Sequence, residues 1–316
     1  MKYKIVRLRF DGDVHFGEGM LETSGSSISA DMLFSALCCE LVGSGKTEDI
    51  EKLVSEVREG KLRISDTFPF SGQTLYLPRP YISVKADNDD GNSVKKKAFR
   101  KLKYIPTELY ETFLKGEFTF EECKKAVDDI SEISGFSLYE QVAVRSGEED
   151  PEPYSVGKIR FRDNSGLWFI LSASDDLLLS EYEALIFAVG LSGIGGKRSS
   201  GCGRFTPEFC EVPGYLLEKL ENDSGSAVSL SVCLPKNDEI ESIIDDASYS
   251  LIKKSGFVYS ETYSDTPHKK NDLYVFGAGS CFGKRFAGDV YDVSGDGKHK
   301  VYRYAVPMFM SIGGKS

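Results

Sequence analysis

The sequence is poor in the residues that metal and nucleophile chemistry needs. Three histidines, His15, His268 and His299, stand far apart in 316 residues, with no Cys or His neighbour at ligand spacing. A zinc site therefore has no support, and neither a metal nor a cofactor is expected. The seven cysteines are an odd number and form no CxxC pair. Cys38 and Cys39 sit side by side in an apolar helical stretch, so buried thiols in a reducing cytoplasm are expected, without disulfides. No uncharged apolar run reaches the ~18 residues of a membrane span. The opening Met1 to Arg7 is interrupted by Lys2, Lys4 and Arg7 and does not form the apolar core of a signal peptide. Positive charge is scarce too: 39 Lys+Arg face 49 Asp+Glu, a net charge of -10. A free-standing nucleic-acid binder, usually basic overall, fits that sum badly.

What is present is ordinary globular material, 41% hydrophobic and 28% charged. The length gives a prior of about two domains. Tyr3 to Phe10 alternates, with Val6, Leu8 and Phe10 on one face and Arg7 and Arg9 on the other, as a half-buried strand does. After a glycine-punctuated loop over 11–27, Leu33, Phe34, Leu37, Cys38 and Leu41 recur at helical spacing behind Ser29 as N-cap. A second helix is expected over 48–58, then extended pieces over 61–65 and 74–77. Residues 85–103 break the pattern. An acidic loop leads into six basic residues in nine, Lys95 to Lys103, without core periodicity, and the segment is expected to be a surface arm. A helix over about 120–130 closes it.

Residues 142–171 read as strands around a loop rich in Gly, Pro and acids. A helix follows, with Ser180 and Glu183 as a capping box, and it ends in a glycine-rich loop. Strand, helix, strands, helix, loop and strand is the order of a ferredoxin-like βαββαβ unit carrying an insertion. The chain restarts near residue 226 with Val228, Leu230 and Val232 alternating, a helix over 240–251 and strands ending at Met310. Gly277 to Phe286 echoes the first glycine loop and hints at a repeat. The expected fold is α+β: two ferredoxin-like domains, 1–215 with an insertion around 82–130 and a hairpin around 142–162, and 226–316.

Residues 193–205 carry five glycines, three cations (Lys197, Arg198, Arg204) and no acid. Glycines let backbone approach a ligand closely, and amide concavities flanked by Lys and Arg bind anions. A nucleotide P-loop does not fit: Leu191 stands where GxxxxGK[ST] needs glycine, Arg198 follows the lysine, and the loop comes after a helix. A glycine turn with no ligand would explain the glycines. An RNA-backbone loop explains the cations as well.

The segment GIGGKRSSGCGRF resembles the glycine-rich loop of the RAMP superfamily of CRISPR proteins. LRFDGDVHFGEGMLE and SADMLFSALC (8–38) are similar to the opening of the subfamily that, in Csm complexes, holds the 5′ end of the crRNA. SDTFPF (65–70), LYLPRP (75–80), GSCFGKRF (279–286) and YRYAVPMFMSIG (302–313) fit the same subfamily, in order along nearly the whole chain. The resemblance implies a cytoplasmic prokaryotic subunit of type III-A antiviral effectors. Its partners would be the crRNA 5′ handle, the large polymerase/cyclase-like Csm subunit and a backbone RAMP subunit, with target RNA met only indirectly.

The same resemblance assigns RNA-binding positions to Gly193, Gly195, Gly196, Lys197, Arg198, Ser199 and Ser200, to His15, Phe16 and Gly17 facing the same cleft, and to Arg145. Phe16, Phe68 and Tyr81 are candidate rings for stacked bases. Lys95, Lys96, Lys97, Arg100, Lys284 and Arg285 are candidates for RNA or subunit contact. No catalytic residue is expected. The alternative is a RAMP endoribonuclease with His15 as general acid or base, and that role needs a partner within hydrogen-bond reach.

Overall fold

The computed structural model describes residues 1–82, 93–143, 152–260, 263–264 and 266–313. In chain order its first half holds β1 (Lys2–Phe10), β2 (Phe16–Gly17), β3 (Ser24–Gly25), α1 (Ala30–Gly43), α2 (Asp49–Arg58), β4 (Leu62–Ile64), β5 (Phe68–Ser71) and β6 (Thr74–Pro78). The inserted segment adds α3 (Ser93–Lys101), β7 (Tyr104–Pro106), α4 (Tyr110–Leu114) and α5 (Phe120–Glu132). The hairpin of β8 (Ser134–Ala143) and β9 (Glu152–Phe161) leads to β10 (Ser165–Ala173), α6 (Asp176–Ser192) and β11 (Phe205–Cys210). The second half contains α7 (Gly214–Glu221), β12 (Ser226–Ser229), α8 (Ile240–Ile244), β13 (Leu251–Lys254), β14 (Leu273–Phe276), β15 (Cys281–Phe282), β16 (Asp289–Asp292), β17 (Tyr302–Ala305) and β18 (Phe309–Gly313).

The main sheet runs β11-β1-β10-β5-β6-β7, with β4 also pairing with β10, and every pair is antiparallel. Every residue of β10 is buried. Leu167, Phe169 and Leu171 point into a core shared with α1 and α6, while Trp168 and Ile170 point into a second core on the opposite face. β1 follows the same rule: Val6 and Leu8 enter the first core and Ile5 enters the second. The expected half-buried strand is thus covered on both faces. Arg7 is only 7% exposed, and its guanidinium lies 5.2 Å from the Phe70 ring centroid.

The inserted segment and the second half supply the second face. Leu102, Tyr110, Phe113, Cys123 and Ala126 pack there beside Val228, Leu230, Met308 and Met310. The basic stretch, expected as a surface arm without core packing, contributes to that core. It forms α3, whose Phe99 meets Phe118 edge-on at 6.4 Å, while Lys97 and Arg100 stay exposed. The strands of the second half form a β15-β12-β18 sheet and the pairs β13-β14 and β16-β17 among the described residues. The expected helix over 240–251 stops at Ile244. Backbone bonds of 2.8 Å exchanged between Ser248 and Cys281 pull the following chain into extended structure.

Two caps differ from expectation. α6 begins at Asp175, whose carboxylate accepts the Leu178 N–H at 2.9 Å, and Ser180 lies inside the helix. Ser29 holds the N-cap backbone position of α1 without capping through its side chain. The Ala30 N–H instead donates to Asp66 Oδ1 at 2.8 Å. That same oxygen accepts the Val232 N–H at 2.9 Å, tying the two halves together. Beside it, Arg303 Nη1 donates to Asp31 Oδ2 at 2.6 Å, the Tyr304 N–H donates to Asp31 Oδ1 at 3.1 Å, and the Tyr304 hydroxyl accepts the Ile64 N–H at 3.0 Å.

Burial pushes the Asp66 carboxyl up to about 6, against the pull of Lys254 and the two N–H donors. Asp66→Ala should cost ~2 kcal/mol, because two buried N–H groups lose their acceptor. Asp66→Asn keeps Oδ1 and resembles the protonated carboxyl, so it should be close to neutral at low pH and stabilising near neutral pH. A carboxyl whose folded value lies above the unfolded ~3.9 binds more protons when folded, so its contribution is present at low pH and fades as pH rises through about 6. Chemical denaturation across that range should move the stability difference between wild type and Asp66→Asn in favour of wild type on acidification. A flat difference would remove ionisation of Asp66 from the account.

Candidate nucleic-acid interface

Three segments meet where β1 ends and β11 begins. The Asp11 N–H donates to the Arg204 carbonyl at 3.1 Å, the Gly203 N–H to Asp13 at 3.0 Å, and the Gly196 N–H to His15 at 2.8 Å. The first loop is also bridged to β9: Val14 and Ile159 exchange backbone bonds of 2.8 and 2.9 Å. His15 Nδ1 donates to the Gly157 carbonyl at 2.7 Å. The glycine loop is thus pinned to the first loop, and the first loop to β9.

Glycine is required at two points. Gly195 has φ +92°, and a Cβ there would lie 2.6 Å from the His15 carbonyl oxygen. Gly203 has φ +79°, and its Cβ would lie 2.0 Å from the Ile194 carbonyl oxygen. Between them Lys197 adopts a left-handed conformation with φ 57°, and Arg198–Ser200 form a single 3₁₀ turn.

The cations of this turn rest on aromatic rings. Lys197 Nζ lies 4.8 Å from the Tyr154 ring centroid on β9. The Arg198 guanidinium lies 4.9 Å from that of Tyr259, in the second half. Ser199, Ser200, Gly17 and Arg204 are exposed at the surface of the same region. Burial raises the Cys39 thiol on α1, with Arg198 and Lys270 opposing the rise, so both cations bear on that sulfur. The arrangement gathers positive charge, hydroxyls and ring faces on a rigid turn, as binding a polyanion with planar bases requires.

Of the positions read from sequence, this geometry brings together His15, Phe16, Gly17, Gly193, Gly195, Gly196, Lys197, Arg198, Ser199 and Ser200. Their parts differ. Phe16 is 1% exposed and packs against Phe10, and Phe68 packs edge-on against Trp168. Core packing thus replaces the stacking role considered for both rings, whereas Tyr81 is exposed. His15 is 6% exposed, and its ring serves as a tie between segments. Arg145 and its acidic neighbours Glu148, Glu149 and Asp150 lie outside the described residues.

Lys95, Lys96, Lys97 and Arg100 lie on α3 in the inserted segment, and Lys284 and Arg285 are at the other end of β1. Arg285 shares a groove with Tyr3 and Arg63, places its guanidinium 5.5 Å from the Phe309 ring centroid and pairs with Asp223 at 3.7 Å. Tyr3 and Phe10 are about 23 Å apart along a strand, so Lys284 and Arg285 do not share the glycine-loop site. The sequence reading missed Tyr154, Tyr259 and Gly157. A glycine inside a strand pattern signals close backbone approach, and a Cβ at Gly157 would lie 2.1 Å from the Glu22 carbonyl oxygen. No local signal marks Tyr259, because its contact with Arg198 spans the two halves.

The first loop and the glycine loop both fall within residues 9–206, which match the RAMP superfamily model. Residues 222–312 match the CRISPR Csm4 C-terminal domain model. A curated relative in Mycobacterium tuberculosis, CRISPR system Cms protein Csm4, is 37% identical over 96% of each chain. The chain belongs to the Csm4 family.

A Csm4 protein of Streptococcus thermophilus is 34% identical over 99% of each chain. The fold agrees with solved structures. A chain of the Csm3-Csm4 subcomplex of the type III-A CRISPR-Cas interference complex superposes with TM-score 0.68 at 19% identity, over 98% of this chain and 99% of that one. A chain of the Csm1-Csm4 cassette in complex with pppApA gives TM-score 0.61 at 20% identity, over 100% and 99%. The Csm4 C-terminal match includes Tyr259 and Arg303, which reach back to Arg198 and Asp31 in the RAMP portion.

Gly203→Ala should destabilise this Csm4-family chain by at least ~2 kcal/mol, since the left-handed backbone alone costs about 1–2 and the methyl meets a carbonyl. Gly17→Ala, with open space around its Cβ, should leave the melting temperature unchanged. Equal melting temperatures for the two variants would refute the packing role of Gly203.

Proposed function

We propose that the chain is a non-catalytic subunit of a type III-A CRISPR ribonucleoprotein that holds the repeat-derived 5′ handle of the crRNA at the glycine loop. It bridges the large polymerase/cyclase-like subunit to a backbone RAMP subunit, meets target RNA only indirectly, and acts in antiviral defence in the prokaryotic cytoplasm. The observation that carries this reading is the acid-free turn 197–200, with two cations held over rings and two exposed serines beside them. Membership of the Csm4 family and the solved Csm3-Csm4 and Csm1-Csm4 assemblies of its relatives support the choice of partners.

The fold reading that accompanies it is a ferredoxin-like RAMP unit over 1–215 and a second ferredoxin-like domain over 226–316. The antiparallel order β11-β1-β10-β4/β5 supports the first. His15 acts as a tie rather than a general acid or base, a role supported by its bond to Gly157.

Replacing Lys197 and Arg198 by Ala in the co-purified complex should lower crRNA retention. The salt dependence of binding should also flatten, by ~0.7 in log-log slope for each phosphate that is no longer neutralised. Unchanged crRNA content would point to a scaffold that scarcely touches RNA. Labelled repeat RNA incubated with the purified chain should stay intact. Cleavage that disappears with His15→Ala would overturn the non-catalytic role.

A further inference from the structure

We infer that Tyr259 of the second half is a base-stacking residue of the RNA site, taking a nucleobase on one face of its ring while Arg198 covers the other. This rests on the proposed RNA-holding role of the glycine loop and extends the site across the boundary between the halves. Tyr259 is 76% exposed, and the Arg198 guanidinium lies 4.9 Å from its ring centroid. An exposed aromatic alone is unremarkable. An exposed aromatic laid over a cation of an acid-free glycine turn is not an isolated surface ring.

The segment that presents Tyr259 is anchored. The Val258 N–H donates to His268 at 2.8 Å, and the Lys270 N–H donates to Gly256 at 2.9 Å. Tyr263 is buried between His268 and His299, with ring centroids 5.4 and 5.0 Å away. The Ser260 hydroxyl meets His299 Nε2 at 3.0 Å. A backbone held in this way loses little freedom on binding, and an aromatic over a guanidinium offers its outer face to any base. A phosphate beside a base stacked on Tyr259 would therefore meet Arg198 and Lys197 of the glycine turn. Single-stranded RNA is the ligand class that uses ring faces and cations together.

The test assembles the full chain with its partner subunits on synthetic crRNAs carrying 2-aminopurine at one 5′-handle position at a time. Stacking on Tyr259 quenches one position. Tyr259→Ala should brighten that position and weaken RNA binding by about tenfold, whereas Tyr259→Phe should keep both within about twofold of wild type. The effect should persist in an Arg198→Ala background, which separates stacking from the positioning of Arg198. Phe257→Ala is the control: Phe257 is 65% exposed, with no cation over its ring among the described residues.

If Lys197→Ala/Arg198→Ala loses RNA while Tyr259→Ala binds and fluoresces as wild type, the inference fails and the RNA-holding role stands. If neither variant changes RNA binding, both fail. If Tyr259→Ala sheds a partner subunit without changing fluorescence, the ring belongs to a protein interface and the inference fails.

Discussion

Everything in this molecule follows from a sheet whose central strand is apolar on both sides. Nine consecutive buried residues on β10 leave no solvent face. Alternation along a strand sends neighbours to opposite sides, so Trp168 and Ile170 demand a cover as complete as the one α1 and α6 give Leu167, Phe169 and Leu171. Burying such side chains contributes about 1.5–3 kcal/mol each. The inserted segment and the second half are therefore structural necessities of the first half. The buried Asp31–Arg303 pair sits at their junction, where removing one partner would strand a charge.

That packing also builds the site. Closing the sheet with β11 beside β1 brings the loop after β1 and the loop after α6 to one end, where hydrogen bonds between them replace sheet bonds. Wrapping the second half around the sheet then brings Tyr259 to Arg198. The cleft is thus a by-product of covering both faces. The same logic reconciles a net charge of -10 with the proposed RNA site: Coulombic attraction is screened over about 8–10 Å at physiological salt. An acidic total lowers general affinity for nucleic acid, and a local acid-free turn decides what happens at short range.

Sequence patterning made the first half legible because its signals are local. Helical spacing found α1, alternation found β1, and the glycines and cations of 193–205 marked the turn that meets His15. It failed where a tertiary contact outweighed the local one. Ser29 and Ser180 have the chemistry of N-caps, yet Asp66 caps α1 from 36 residues away, and Asp175 captures α6 a turn early. Lys95 to Lys103 looks solvated because its cations dominate, while Ala98, Phe99 and Leu102 pack into the second core. Phe16 looked like a stacking ring because a loop aromatic beside glycines is ambiguous until its burial is known.

The backbone of Lys197 adds an argument that composition could not. Among the described residues two non-glycines have positive φ, Asn164 and Lys197. Asn164 needs no explanation, since asparagine tolerates the left-handed region in turns. Lysine is a poor occupant there, with a steric cost of roughly 1–2 kcal/mol that glycine would avoid, in a loop already rich in glycine. What lysine adds over glycine is its ammonium, and that ammonium sits over Tyr154 beside Arg198 and the exposed serines. Strain retained at a surface turn where a permissive residue would fit is the mark of a side chain held for contact with something outside the chain. The conformation of Lys197 thus supports the proposed phosphate-facing role of its ammonium.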